Sequence, residues 1–285
     1  MAEGDRVGLD WAEAREANRL NWDDRAELHV RDYGLDAFRD DPGHLSTVVR
    51  DDLKALQRFL PEGVAGLDVC HLQCHIGTDT ISLARAGARV TGLDFSPAAI
   101  AAARALAREV GAEVTWVESD VLDARAAVEG TFDLVYTSIG TICWLNDLDR
   151  WAAQVAALLR PGGLFYIRDG HPMMYTLDEH SDELRVAYPY FGDGRAVAWD
   201  DPGTYVGEGQ VAHPRSYEWP HPLSEIVNAV LGAGLQLERL DEGTTLPWRF
   251  SGLMEPQGDG EFVFLEGLRD RVPTTFTVIA RLPGS

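Results

Sequence analysis

Apolar residues recur along this chain of 285 residues in three successive rhythms. The first is helical. Residues 9–32 set Trp11, Leu20 and Trp22 among charges. Residues 42–60 place Leu45, Val48, Val49, Leu53, Leu56 and Leu60 at helical spacing until Pro61 and Gly63 end the pattern. The second rhythm starts at Gly66 and alternates. Short apolar runs at 67–74, 89–93, 113–118, 132–137 and 164–168 read as strands. Between them 77–86, 96–110 and 148–159 read as helices, with Ser96 a cap, Pro97 at a first helical position and "RPGG" a stop. The third rhythm is irregular. Tyr, Trp, His, Pro and Gly crowd 170–221, with strand-like pieces such as "ELRVAYPYF", before a helix at 223–231 and strands at 235–240 and 274–280.

Strands alternating with helices predict parallel β-α units with helices on both faces of a sheet. The expected organisation is a helical lid over 1–62, a doubly wound α/β domain over 63–285, and a β-rich insertion at about 170–221 that caps one end of the sheet.

Composition narrows the function classes. Hydrophobic residues at 45% and charged residues at 25% are ordinary for a globular protein. No apolar run reaches membrane-spanning length, and the N-terminus carries no secretory h-region, so a cytoplasmic location is expected. The net charge of −21 works against nucleic acid and anionic membranes as partners. Three cysteines, Cys70, Cys74 and Cys143, fit a reducing compartment without a disulfide framework.

The chemistry concentrates in "VCHLQCHIG", residues 69–77. Cys70, His71, Cys74 and His75 look like metal ligands. But structural zinc sites pair ligand sets far apart in sequence, and haem attachment needs C-x-x-C-H, where this chain has C-x-x-x-C-H. Strand periodicity also sends Cys70, Leu72 and Cys74 to one face and His71 and Gln73 to the other. The expectation is no metal. The position indicates something else. A first strand running into a helix is where a nucleotide-type cofactor meets a helix N-terminus. Of the expected glycines only Gly77 is present, ahead of Thr78. Asp94, roughly 20 residues further on at the end of the second strand, suits a ribose diol, or else helps cap the helix that Ser96 starts. Asp120 with Val121, after the third strand, suits an adenine edge, or is a solvated loop acid.

The run "VCHLQCHIGTDTISLARAGARVTGLDFSPAAI", with "ESDV", "FDLVYTSIG" and "LLRPGGLFYIRD", resembles the class I S-adenosylmethionine-dependent methyltransferases, in particular the small-molecule type 11/25 branch. The likeness covers about 64–170 and returns weakly at 222–242 and 273–281. It implies a Rossmann-like seven-stranded sheet, mostly parallel with an antiparallel last strand. It also implies S-adenosyl-L-methionine as cofactor and no metal. The cofactor residues it implies are Gln73, Cys74, His75, Gly77, Thr78, Asp94, Phe95, Ser96, Asp120, Val121, Thr137, Ser138 and Ile139, with Trp22 of the lead helix either at the methionine end or an ordinary buried Trp. The sequence departs from the family's loop: its acid falls on His71 and two of its glycines on Gln73 and His75. Either the cofactor meets altered contacts or the site is degenerate.

On the acceptor side, His171 just past the fifth strand is the candidate base, since imidazole titrates near neutrality; a backbone-bonded loop histidine is the alternative. His213 and His221 are weaker candidates. Tyr175, Trp199, Tyr217 and Trp219 are the candidate substrate residues, in an aromatic pocket or in a small core under the cap. The expected function is methyl transfer to a small molecule by a monomer or homodimer. A non-catalytic cofactor-binding protein and a nicotinamide-dependent oxidoreductase are the rivals.

Overall fold

The computed structural model describes residues 5–284, so the first four residues of the expected lid and the last residue of the expected domain lie outside the described residues. A short strand β1 (Asp5–Val7) leads into α1 (Trp11–Asp32), α2 (Asp36–Asp40) and α3 (Thr47–Leu56). The side chains of Asp10 and Ser46 accept from backbone N–H groups at the starts of α1 and α3. The helix expected over 42–60 is shorter, because Gly43 N–H turns back onto Asp41 Oδ1 at 2.7 Å and Ser46 sets a later start.

The alternating region follows as β2 (Asp68–Leu72), α4 (Thr78–Arg85), β3 (Arg89–Asp94), α5 (Pro97–Val110) and β4 (Val114–Glu118). It continues through α6 (Ala124–Ala127), β5 (Phe132–Thr137), α7 (Leu148–Leu158) and β6 (Leu159–Gly170). Then come β7 (Ala196–Asp200), β8 (Arg215–Glu218), α8 (Leu223–Gly232), β9 (Gln236–Gly243), β10 (Thr245–Leu246), β11 (Met254–Gly258), β12 (Glu261–Phe264) and β13 (Thr275–Arg281).

Seven strands make the central sheet in the order β4-β3-β2-β5-β6-β13-β9. The pairs among β2 to β6 are parallel, and β13 runs antiparallel to both neighbours, as the resemblance implies. Alternation along each strand feeds two cores. Cys70, Leu72, Val135, Phe165 and Val278 pack with Trp151 and Ile226 of α7 and α8. Val69, Leu134, Tyr136, Tyr166 and Ile279 pack with Val49 and Leu56 of α3. Buried Asp52 seats α3 on that second face. It accepts from Tyr136 Oη at 2.5 Å, Tyr166 Oη at 2.7 Å and Arg168 Nε at 2.5 Å.

The insertion differs from its expected strands. "ELRVAYPYF" forms no strand and touches β geometry only at the bridge Leu177–Val186. The pairing is made by β7 and β8, which take β1 as a third strand, so the two ends of the cap come from distant parts of the sequence. A second excursion between β9 and β13, read as part of the domain without structure of its own, forms a sheet in the order β10-β12-β11. Its Leu246, Met254 and Phe264 pack on Met174 and Leu177 of the insertion. Among the described residues no helix is long and apolar enough to cross a membrane.

Candidate functional site

The loop from β2 to α4 holds three residues in the left-handed region: Gln73 at φ 54°, His75 at φ 49° and Gly77 at φ 81°. An L-residue held there costs about 1–2 kcal/mol. The backbone thus keeps the course of a glycine loop although two side chains now project from it. Gly77 is glycine for packing as well. A Cβ there would lie 2.5 Å from the Trp116 ring and 2.8 Å from Ala103 Cβ. Gln73 donates from Nε2 to Thr141 O at 3.1 Å, while its Oε1 is buried without a partner. His75 Nε2 lies 2.7 Å from His29 Nδ1, and His29 Nε2 lies 2.7 Å from Thr204 Oγ1. Burial lowers the pKa of His29 to about 3 and holds that of His75 well below the ordinary value, so both rings are neutral.

His71 stands in β2 with its two ring nitrogens 2.8 Å from Thr80 Oγ1 and 2.9 Å from Ser138 Oγ. Burial lowers its pKa to about 3. A neutral imidazole therefore ties the first turns of α4 to the loop after β5. Cys70 packs on the opposite face of the sheet, and among the described residues no three His, Cys, Asp or Glu side chains converge as a metal would need.

Three acids follow. Asp94 accepts from His75 N at 2.8 Å and Ser96 N at 2.9 Å, one bond on each oxygen, and burial raises its pKa to about 6. Asp120 accepts from Leu122 N at 2.9 Å and pairs with Arg15 Nε of α1 at 2.6 Å. Asp79, at the start of α4, is raised to about 6 by burial, with the Ser46 and Ser138 hydroxyls pulling it back.

These groups surround a cavity of about 600 Å³ at the carboxyl ends of β2 to β5, roofed by α1. That is ordinary for a cofactor or substrate site. Of the residues the sequence singled out, Trp22, Gln73, Cys74, His75, Thr78, Asp94, Phe95, Asp120, Val121, Ser138 and Ile139 line it. Three sit elsewhere. Gly77 faces Trp116; Ser96 caps α5 through Ala99 N at 3.0 Å and donates to Asp23 Oδ1 at 2.5 Å; Thr137 is buried with its hydroxyl unpartnered. Sequence reasoning missed Arg15, Arg25, Tyr33, Asp79 and Trp248, which also face the cavity. Arg25 lies 5.5 Å from the Trp22 ring centroid, bonds Asn21 Oδ1 at 2.7 Å and makes no ion pair among the described residues. Its signal was present: Trp22 and Arg25 lie three apart on one helix face.

A second cavity of about 100 Å³ opens beside the first, under β7 and β8. Tyr175, Trp199 and Trp219 line it, but Tyr217 does not. β8 alternates, so Ser216 and Glu218 share one face while Tyr217 takes the other, where its backbone exchanges bonds of 2.8 Å with the Asn18 amide. Cys143, Tyr175 and Glu218 line both cavities.

His171 lines neither cavity. Its Nδ1 accepts from Met173 N at 3.0 Å and its Nε2 lies 2.9 Å from Glu242 Oε1 of β9. The expected base thus stands outside both cavities. Asp169, two residues earlier, does more for the site. Asp169 accepts from Gly140 N (2.6 Å), Thr141 N (2.9 Å), Thr141 Oγ1 (2.9 Å), Ile142 N (2.9 Å) and Gly170 N (2.6 Å), and so fixes the loop after β5. His213 pairs with Asp24 at 3.0 Å, and His221 bonds Leu145 O at 2.7 Å.

Comparison with known proteins agrees with this geometry. Residues 70–165 match the methyltransferase domain model. The chain is 39% identical over 106 residues to the ubiquinone biosynthesis O-methyltransferase of Methylobacterium sp. (strain 4-46), covering 37% of this chain and 42% of that relative. It is 29% identical over 168 residues to the enzyme of that name from Methylocella silvestris, covering 58% and 60%. The matches span about half the length of these relatives. Among solved structures, an S-adenosylmethionine-dependent methyltransferase from Clostridium acetobutylicum superimposes with a TM-score of 0.55 at 14% identity, over 83% of this chain and 95% of that one. Residues 70–165 are thus similar to a methyltransferase domain, and the chain shares the fold of S-adenosylmethionine-dependent methyltransferases of known structure.

Proposed function

We propose that the protein transfers a methyl group from S-adenosyl-L-methionine to a small-molecule acceptor. The observation that carries this is the meeting, in one cavity, of the left-handed 73–77 loop with the buried Asp94 carboxylate. Each Asp94 oxygen has accepted one backbone N–H, leaving lone pairs for a ribose diol. Arg25, which makes no ion pair among the described residues, suits the methionine carboxylate, and the orphaned Gln73 Oε1 suits its ammonium. Asp120 bonds an adenine amino group only in company with Arg15, or after releasing it. The bound cofactor supplies an electrophilic methyl on a sulfonium; the protein's part is to align the acceptor and exclude water. The α1 lid and the 170–221 cap serve that exclusion. The net charge of −21 favours a free small molecule over nucleic acid as acceptor.

Calorimetry with S-adenosylhomocysteine tests the reading. Wild type binds, and Asp94→Ala loses at least tenfold in affinity. No binding by the wild type would overturn the proposal, and equal binding would remove the ribose role of Asp94. The side chains at Gln73 and His75 give the non-catalytic alternative its one support. Tight binding with no methyl transfer to any acceptor favours it.

A further inference from the structure

Building on that reading, we infer that Glu218 is the proton-accepting catalytic residue and that the acceptor is a single-ring phenol or enol, seated in the smaller cavity with its hydroxyl at the junction. Three observations lead there. First, Cys143, Tyr175 and Glu218 are the residues shared by the two cavities, so an acceptor in one meets a methyl donor in the other beside them. Second, burial pushes the Cys143 thiol and the Tyr175 hydroxyl well above their ordinary pKa, leaving both protonated, whereas Glu218 is raised only to about 7. Third, the other candidates along the small cavity are held elsewhere: Asp169 takes five donors, and His221 bonds Leu145 O through Nε2 at 2.7 Å, with its Nδ1 3.2 Å from Glu225 Oε2.

The groups facing Glu218 come from several elements. Burial raises its pKa most; Arg25 of α1 and the Trp199 indole of β7 lower it, and Glu179 adds to the rise. Trp199 Nε1 is buried and outside any well-formed hydrogen bond. In the β7–β8 ladder Glu218 stands opposite Val197, and Trp199 lies diagonally on the same face, so the indole and the carboxylate flank one space.

The walls select the acceptor. Ile142, Tyr188, Val197, Trp199 and Trp219 offer flat apolar surface. A dry cavity of about 150 Å³ holds benzene, so about 100 Å³ opening onto the larger space admits one ring and little more. A carboxylate titrating near neutrality is matched to a hydroxyl of pKa about 10, as in tyrosine, and far too weak for an aliphatic alcohol. In the step, Glu218 takes the hydroxyl proton and the acceptor oxygen's electron pair forms the O–CH₃ bond. The pair of the broken C–S bond stays on sulfur, which becomes a neutral thioether. Glu218 then returns its proton to water.

The test pairs binding with turnover. Phenol is titrated onto the protein while tryptophan fluorescence is followed between pH 6 and 8. Wild-type affinity rises with pH as Glu218 ionises and accepts the hydroxyl; Glu218→Gln gives a flat profile. In turnover with S-adenosylmethionine and a panel of single-ring phenols, anilines and thiols, wild type methylates phenols. Glu218→Gln lowers kcat about 100-fold or more while binding S-adenosylhomocysteine as wild type does. Glu218→Asp, should the amide fail to fold, keeps the acid limb near neutrality at reduced kcat. Transfer only to anilines or thiols, a pH-dependent phenol affinity that survives Glu218→Gln, or full kcat in that variant overturns the inference. Failure of wild type to bind S-adenosylhomocysteine overturns the underlying methyltransferase reading instead.

Discussion

His75 Nε2 is 2.7 Å from His29 Nδ1, so a side chain of the β2–α4 loop is bonded directly to the α1 lid, and through His29 to Thr204 of the insertion. The chain of bonds needs neutral rings. Burial holds His29 at about 3 and His75 well below its ordinary value. A folded-state pKa below the unfolded value near 6.5 means stability that is complete above pH 6.5 and lost as pH falls toward the folded value. His29→Gln therefore melts below wild type at pH 7.5, and the gap narrows steadily toward pH 4.5. Thermal melts across that range check this; a gap independent of pH would show that the imidazole pair carries no linkage.

Gln73 at φ 54° allows a direct reading of loop strain. At an ordinary position alanine is more stable than glycine by about 0.5–1 kcal/mol. In the left-handed region an L-residue costs about 1–2 kcal/mol, which reverses the order. Gln73→Ala and Gln73→Gly lose the same bond to Thr141 O, so their difference isolates the backbone. The expected outcome in denaturant unfolding is Gln73→Gly at or above Gln73→Ala, by up to about 1 kcal/mol. The usual order would place the loop in another conformation.

The same loop marks the limit of what the sequence disclosed. Element order and the position of the loop after β2 were legible because period-2 and period-3.6 patterns record which face is buried, and eleven of the residues expected at the cofactor line the larger cavity. The rest depended on partners distant in sequence. Arg25 and Glu218 are unremarkable in their local windows and become site residues only when α1 and β8 close over the sheet ends. His171 had the right residue type just past the sixth strand of the chain, yet Glu242 of β9, remote in sequence, claims its ring. The β10–β12–β11 sheet escaped notice because its strands are two to five residues long and joined through Gly258, Asp259 and Gly260, too short for a period to register.

Asp79 offers a test of opposite sign. Burial raises it to about 6, so the folded protein binds a proton more tightly than the unfolded chain. Stability from this group is present at low pH and falls as pH rises from about 4 to about 6. Asp79→Asn removes the cost of the charged form. The expected result is a variant more stable than wild type at pH 8, by on the order of 1 kcal/mol after solvent screening, and no more stable at pH 4. Melting curves at both pH values decide it. A variant less stable at pH 8 would mean that the Ser46 and Ser138 hydroxyls favour the carboxylate more than burial penalises it.

Asp169 carries the largest expected stability effect. Its two oxygens receive four backbone N–H groups and the Thr141 hydroxyl, and the loop from Gly140 to Ile142 hangs on them. Burial raises its pKa, and the converging donors oppose that rise. Asn at this position keeps one acceptor oxygen and turns an NH₂ group against donors that then have no acceptor. Hydrogen bonds to a charged acceptor contribute about 1.5–3 kcal/mol each in mutational series, and a buried donor left alone costs about 1–3 kcal/mol. Asp169→Asn should therefore lose about 3 kcal/mol in denaturant unfolding. The amides of Gly140, Thr141 and Ile142 should exchange with solvent much faster than those of β5. Because Thr141 O also holds Gln73 Nε2, S-adenosylhomocysteine affinity should fall as well, although Asp169 lines only the smaller cavity. Unchanged exchange at these amides in a folded variant would show that the loop holds its course without the carboxylate.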